Sequence, residues 1–549
     1  MGKWYQKSIA AFTAITCLVT AGTIGLAQES LPQLQLTARA EDKVYIGESY
    51  GLQLEYDELK DGTIEIKTFV SSTSTDIKLP STIDGKPVTS IGDEAFRFCS
   101  NLTNIVLPDS VTEINYAAFW GCSNLTSITI PDGVERIGNS VFENCDSLTK
   151  ISLPKSVTDV HYYTFQNCNH LTEIVVDSDN ALYASKDGVL FDKNLEQLIC
   201  CPAGKTGSYT IPDSVTTIQN DAFYNCKNLT NIEIPGSVTA IAYEAFWGCS
   251  SLKNVTIPDN VTEIKSQTFG KCNSLTSIII PNNVTSIRND AFYNCTSLTE
   301  LIVDSDNEFY SSEDGMLFDK NSESLIYCPE GKSGDIIIPD GVTTIKNYAF
   351  QYCKNLTSIV IPDSVTSING GAFYDCNSLT HVTLSDNLTS ISSNTFENCS
   401  SLKSIIIPDG VTSIGYAAFE GCSNLTDVIT SNNIMTIEDS AFYDCSSLTY
   451  FIIPNNVTNI NRDTFHGCNN LKNVIISYRV TDIDISAFYG CDELTDISVD
   501  SDNTSYTSID GVLFDKNMET LLYCPEGKSG AFTIPESVTF TLDAFDCCD

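Results

Sequence analysis

The sequence predicts a β-rich solenoid on three observations: a Phe-x-x-Cys mark that returns every 23 residues, a short apolar run at a fixed distance after each mark, and a turn sequence between the two apolar stretches of every unit. The register cysteines stand at 99, 122, 145 and 168, then at 226, 249, 272 and 295, then at seven positions from 353 to 491, with Cys548 after a last irregular unit. Self-similarity at a fixed period of this length is the signature of stacked repeats.

Within one unit, Leu125, Ile128 and Ile130 have the spacing of a short strand entered from a bend. Pro131-Asp132-Gly133 makes a turn, and Val134 and Ile137 return apolar side chains inward. Phe142 and Cys145 close the coil. Such a coil cannot bury its own apolar face, so neighbours must stack on one shared core. The expected stack has 15 to 16 coils.

The intervals from Cys168 to Cys226 and from Cys295 to Cys353 are both 58, one unit plus 35 residues. Three copies of this insert are expected near 177–211, 304–338 and 500–534. Each carries Val-Asp-Ser-Asp-Asn, a Tyr, Asp-Gly-Val/Met-Leu-Phe-Asp-Lys-Asn and Cys-Pro-x-Gly-Lys, which reads as a β-hairpin laid over one side of the coil. Residues 41–79 do not fit the unit; strands at Leu52–Glu55 and Thr63–Phe69 across Asp61-Gly62 make a hairpin cap, and the repeat array runs from 80 to 549. Residues 1–40 read as an export leader, with Lys3 and Lys7 before an apolar stretch and small-x-small sites ending at Ala27 and at Ala40. The expected compartment is therefore extracellular, secreted or at the cell surface, with no membrane span once the leader is removed.

Thirty basic against 70 acidic residues, a formal charge of -40, exclude a nucleic-acid partner, because phosphate neutralisation needs a Lys/Arg surface. A protein ligand is expected, with glycans as the other class. Loss of Cys17 with the leader would leave 21 of the 22 cysteines, an odd number. The register cysteines read as a ladder of buried, reduced thiols, while Cys200, Cys201, Cys328, Cys524 and Cys547 are the candidates for bridges or reactivity. The 23-residue spacing matches no zinc pattern, and Asp177-Ser-Asp-Asn180 with its two copies reads as turn capping rather than a calcium loop. His161, His170, His381 and His466 fall at four different phases of the repeat, and no catalytic motif is present. No catalytic, cofactor or metal residue is assigned, and the chain is read as a binder rather than an enzyme.

The run Leu-Thr-x-Ile-x-Ile-Pro-Asp-x-Val-Thr-x-Ile followed by Ala-Phe-x-x-Cys resembles the BspA-like class of bacterial and protist leucine-rich repeats, over roughly 80–549. The resemblance implies a leucine-rich-repeat stack in a surface or secreted protein, some members of the class acting in adhesion to host proteins or in co-aggregation. It brings no catalytic residues and does not name a ligand.

Two ladders are candidates for the binding surface. On the strand face, between two inward residues, stand Ile279, Ile302, Val360, Ile406, Ile429, Ile452 and Ile475, interrupted by Thr383; period-two logic turns them outward. The same place in earlier units is more polar, as at Thr129, Ser152, Glu233 and Thr256. After the register Phe stand Trp120, Tyr224, Trp247, Tyr293, Tyr374, Tyr443 and Tyr489, side chains suited to proteins or sugars. The leading expectation is an adhesin-like scaffold that binds protein through the isoleucine ladder. The alternatives are carbohydrate or cell-wall binding through the aromatic ladder, Trp120, Trp247, Tyr224 and Tyr293 above all, and a structural surface-layer role.

Overall fold

The computed structural model describes residues 43–47 and 51–541. The leader with its cleavage sites and Cys17, and the closing Phe545–Cys548 pair with Cys547, lie outside them. The repeats all fall within one compact unit, Val44–Asp549.

That unit is a β-solenoid of about 19 turns with almost no helix. A regular turn carries two strands, such as Ser404–Ile406 and Ser413–Ile414. Each pairs in parallel with its equivalent 23 residues on: Ile405 opposite Val428, Ile406 opposite Ile429 and Ile414 opposite Ile437. Ile405 and Ile407 are buried while Ile406 between them is exposed, the alternation a strand imposes. Pro408, with no N–H to donate, ends the strand; Val411 and Ile414 turn back into the core. A hairpin of Gln53–Glu58 and Ile64–Ser71 covers the first turn, its second strand pairing in parallel with Lys86–Ile91.

The core is a pair of columns. Register phenylalanines stack ring on ring, with centroids 5.2 Å apart for Phe373–Phe396 and 5.4 Å for Phe396–Phe419. From Cys122 on, the register thiols are buried, and in regular turns each donates to the Phe carbonyl of the preceding turn, as Cys422 Sγ does to Phe396 O at 3.2 Å. The ladder of reduced thiols therefore does more than pack: it satisfies a carbonyl in turn after turn. Cys200, Cys201 and Cys328 are free thiols like the register cysteines, so they form no bridges, and Cys524 is buried.

The inserts differ from a hairpin resting on a coil. Tyr183–Lys186 and Val189–Asp192 do form a hairpin, but a third strand, Gln197–Cys200, pairs antiparallel with it and parallel with Thr217–Ile218. That third strand occupies the second-strand place of a turn. Cys201 then stands where Phe stands elsewhere: its N–H donates to Ala222 O at 2.7 Å, as Phe119 donates to Val141, and its carbonyl accepts the Cys226 thiol. Each insert thus completes a turn of its own, and three such turns account for the excess over the 15 to 16 coils that the cysteine spacing predicts. The inserts are also seams, since the apolar core divides into segments running to Cys200, from Val189 to Tyr327, from Met316 to Tyr523, and from Val512 to Cys524.

A buried asparagine and a closely packed glycine hold each seam. Asn180, Asn307 and Asn503, the last residues of the Asp-Ser-Asp-Asn copies, are buried; in the first copy Nδ2 donates to Pro154 O and Val157 O, and Oδ1 accepts from Leu182 and Tyr183 N–H. Asp177 caps the turn by accepting from Asp179 N–H at 2.8 Å. Gly204 and Gly331 of Cys-Pro-x-Gly-Lys lie against backbone so closely that a Cβ would sit 2.7 Å and 2.6 Å from it.

Candidate functional site

The isoleucine ladder forms a row on the strand face. Ile279 pairs with Ile302, Ile406 with Ile429 and Ile452 with Ile475, while Val360 lies between Ile337 and Thr383. Ile279, Ile302, Val360, Ile406, Ile429, Ile452 and Ile475 are all exposed, Ile406 at 65%. The strands beneath belong to four short sheets, because no pairing joins Ser277–Ile280 and Glu300–Val303 to the next group, nor His381–Thr383 to Ser404–Ile406, nor Asp427–Ile429 to Tyr450–Ile452 among the described residues.

Spacing in the sequence misses Ile337, which is 71% exposed and completes the row across the second seam. Counting forward from the preceding register cysteine fails there because the insert intervenes. Counting back succeeds, since Ile337 precedes Cys353 by 16 residues, as Ile406 precedes Cys422. In the first half the same place holds Thr129, Ser152, Thr210 and Glu233, with Val106 and Val175 as apolar exceptions. Eight branched apolar side chains in one row, 40% to 71% exposed, each forgo about 1 kcal/mol or more of the burial available to them. The row is broken at Thr383, which leaves an apolar stretch on either side of it.

The aromatic ladder is arranged differently. Trp120, Tyr224, Trp247, Tyr293, Tyr374 and Tyr443 are half-buried, and Tyr489 is exposed. Several rings are already in contact with protein groups: the Arg97 guanidinium lies 4.1 Å over Trp120, with Phe98 at 5.2 Å, and Lys271 lies 4.8 Å over Trp247. Trp247 stacks on Tyr293 at 5.9 Å across an intervening turn, made possible by Gly270, where a Cβ would come within 2.1 Å of the indole. Tyr443 stacks on His466 at 4.8 Å. A sugar stacking on Trp120 or Trp247 would have to displace a cation that already sits there. No group of three or more His, Cys, Asp or Glu side chains able to hold a metal occurs among the described residues. No described helix is long and apolar enough to cross a membrane.

The strand carrying Ile337 starts from a segment held by a buried carboxyl. Glu330, 4% exposed, accepts from Asn294 N–H at 2.6 Å, where ordinary turns offer a backbone carbonyl of the next turn, as Trp247 O does for Asn225. Burial pushes its carboxyl up to about 8, partly offset by the Asn294 hydrogen bond and by Lys354. A carboxyl whose pKa is raised by folding stabilises the native state most below the ordinary carboxylate range, and that contribution is lost as pH rises through about 8. Glu330→Gln keeps the acceptor and removes the titration. Between pH 5 and pH 9 the variant should gain on the wild type by roughly 1–3 kcal/mol in urea unfolding. Parallel curves across that range would contradict this.

The family model described as the BspA type leucine rich repeat region matches in six copies, over residues 62–186, 200–314, 326–448 and 389–520. Among solved structures, the chain is similar to a leucine rich cell surface protein from Faecalibacterium prausnitzii, with 29% identity over 75% of this chain and 95% of that one and a TM-score of 0.39. It is also similar to leucine-rich repeat proteins from Eubacterium ventriosum (26%, 70% and 95%, TM-score 0.38) and Bacteroides ovatus (25%, 84% and 94%, TM-score 0.33). No curated protein matches the chain. With the family model spanning well over half of its length in the register that the strands, phenylalanines and cysteines define, the chain belongs to the BspA-type leucine-rich repeat family.

Proposed function

We propose that the chain is a secreted or cell-surface, non-enzymatic scaffold that docks another protein on the strand face of the turns between residues 277 and 476. The observation that carries this reading is the row of exposed branched apolar side chains from Ile279 to Ile475, on a face whose earlier turns place mostly polar residues at the same position. Membership of the BspA-type family, together with the leader pattern of residues 1–40, supports the placement outside the cell. The covered indoles weigh against the aromatic ladder as the principal site.

The test is affinity capture from serum, extracellular-matrix and cell-wall fractions with the full chain. Ile406→Thr/Ile429→Thr/Ile452→Thr/Ile475→Thr uses the residue native at 383, so the fold should survive, as circular dichroism would check. A protein captured by the wild type and by Trp120→Ala/Trp247→Ala should be lost at least about tenfold by the threonine variant. Capture of polysaccharide that depends on the tryptophans would replace this reading with glycan binding, and identical capture by all three would leave neither face as the site.

A further inference from the structure

The partner's chemistry can be read from what borders the stripe, an inference that rests on the docking reading above. Two residues before the outward position stand Glu300, Asp335 and Asp427; at the turn that ends the strand stand Asp340, Asp363, Asp386 and Asp409. All are exposed, and none forms an ion pair among the described residues. They are held in place: Asp335 Oδ1 accepts from Thr357 Oγ1 at 2.9 Å and Ser358 Oγ at 2.7 Å, and Asp363 Oδ1 accepts from Asp386 N–H at 3.0 Å. Residues 277–476 contain 23 Asp and Glu against eight Lys and Arg. Of those eight, Arg288, Lys354 and Arg462 are paired with acids elsewhere on the surface.

An apolar row with Glu300, Asp335 and Asp427 spaced along one side, among serines and His381, and the unbroken run Asp340, Asp363, Asp386 and Asp409 on the other selects against most occupants. A second copy brings the same charge of -40, and nucleic acid or an anionic bilayer is repelled in the same way. The complementary order is apolar side chains flanked by cations. The geometry points to a cationic amphipathic helix as the partner, laid along the stripe across the turns, its apolar face on the isoleucines and its lysines or arginines over the bordering aspartates. The turns repeat at about 4.8 Å, close to the pitch of roughly 5.4 Å at which one face of a helix repeats, so a straight helix stays over the row for several turns.

The experiment uses the full chain and a 21-residue synthetic peptide of Leu and Lys with its leucines on one helical face, with binding read by fluorescence anisotropy at two salt concentrations. Companion peptides carry Glu for every Lys or Ser for every Leu. The chain variants are Ile406→Thr/Ile429→Thr/Ile452→Thr and Asp340→Asn/Asp363→Asn/Asp409→Asn. Both use residues the repeat already places there, Thr383 in the row and Asn432 and Asn455 at the turn, where Asn432 Oδ1 accepts from Asn455 N–H as Asp363 does from Asp386. The wild type should bind the Leu/Lys peptide, each variant about tenfold more weakly, with affinity falling as salt rises and neither companion bound. If the asparagine variant or the Glu peptide binds as well as the parent while the threonine variant still loses binding, the docking face stands and its cationic partner does not. If the threonine variant or the Ser peptide binds undiminished, the attraction is unspecific charge and both fail. A wild type that ignores the Leu/Lys peptide overturns the cationic helix.

Discussion

Asn307→Ala should destabilise the turns around the second seam by about 3–5 kcal/mol, far more than any neighbouring change in the same Asp-Ser-Asp-Asn segment. The Asn307 side chain is fully buried and uses four hydrogen bonds: Nδ2 donates to Pro281 O at 2.8 Å and Val284 O at 3.0 Å, and Oδ1 accepts from Phe309 and Tyr310 N–H, both at 2.8 Å. Alanine removes all four bonds and strands the buried Val284 carbonyl, while Pro281 O keeps the Val284 N–H at 3.3 Å. The two N–H groups fare better, because Phe309 is exposed and its backbone is nearer water. An aspartate at this position would keep the two acceptor bonds but set a negative charge against two carbonyls, so Asn307→Asp should be no milder. Asp304→Ala is the control: its carboxylate is exposed and accepts one turn N–H, that of Asp306, so its loss costs about 1 kcal/mol or less. Each turn contacts only its neighbours, so the loss should appear as faster hydrogen exchange around 281–310 rather than as uniform weakening of the array. Indistinguishable exchange in Asn307→Ala and Asp304→Ala would refute the seam's dependence on this side chain.

What is legible in the sequence follows a physical line. Phe-x-x-Cys at 23 residues, inward Leu-x-x-Ile-x-Ile and the Pro-Asp turn are local patterns repeated many times, and each regular turn is built from them as read. The seams are opaque because the repeat's own mark is missing there: Cys201 occupies the phenylalanine place, so a turn reads as an insertion. Ile337 escapes for the same reason. Glu330 replaces a backbone carbonyl with a side chain, an exchange no periodicity encodes. The outward isoleucines follow from strand alternation, whereas what covers the aromatics does not: Arg97 and Lys271 reach Trp120 and Trp247 through side-chain direction, and Gly270 matters only because an indole crosses it. Asn180 is legible as a turn residue but not as a buried one, since burial depends on which neighbouring turn offers carbonyls.

Phe396→Ala should cost roughly 3–5 kcal/mol, the second large effect, and it tests what limits the core. Phe396 is fully buried between Phe373 and Phe419, its ring within 2° and 12° of parallel to theirs. Deleting it forfeits the transfer energy of the ring and two stacked contacts, and opens a gap that stiff flanking turns cannot close. The natural exception shows why closure is hard. Where Cys328 takes the phenylalanine place, Tyr327 fills the column, its ring 5.8 Å from Phe292 and its hydroxyl donating to Phe292 O at 3.3 Å. The third seam repeats this with Tyr523, 5.6 Å from Phe488 and donating to its carbonyl at 3.1 Å. At these two seams the residue just before the small one supplies the missing ring, whereas the first seam has Cys200 at that place. The turns flanking Phe396 are regular and supply none, so Phe396→Cys should be as damaging as Phe396→Ala, while Phe396→Leu, which keeps most of the volume, should cost about 1–2 kcal/mol. Hydrogen exchange across 373–442 reads the local loss, and Phe309→Ala, at an exposed ring, should leave that region unchanged. If Phe396→Cys matched the wild type, the column would be closing on its own, and the tyrosines at the seams would need a different explanation.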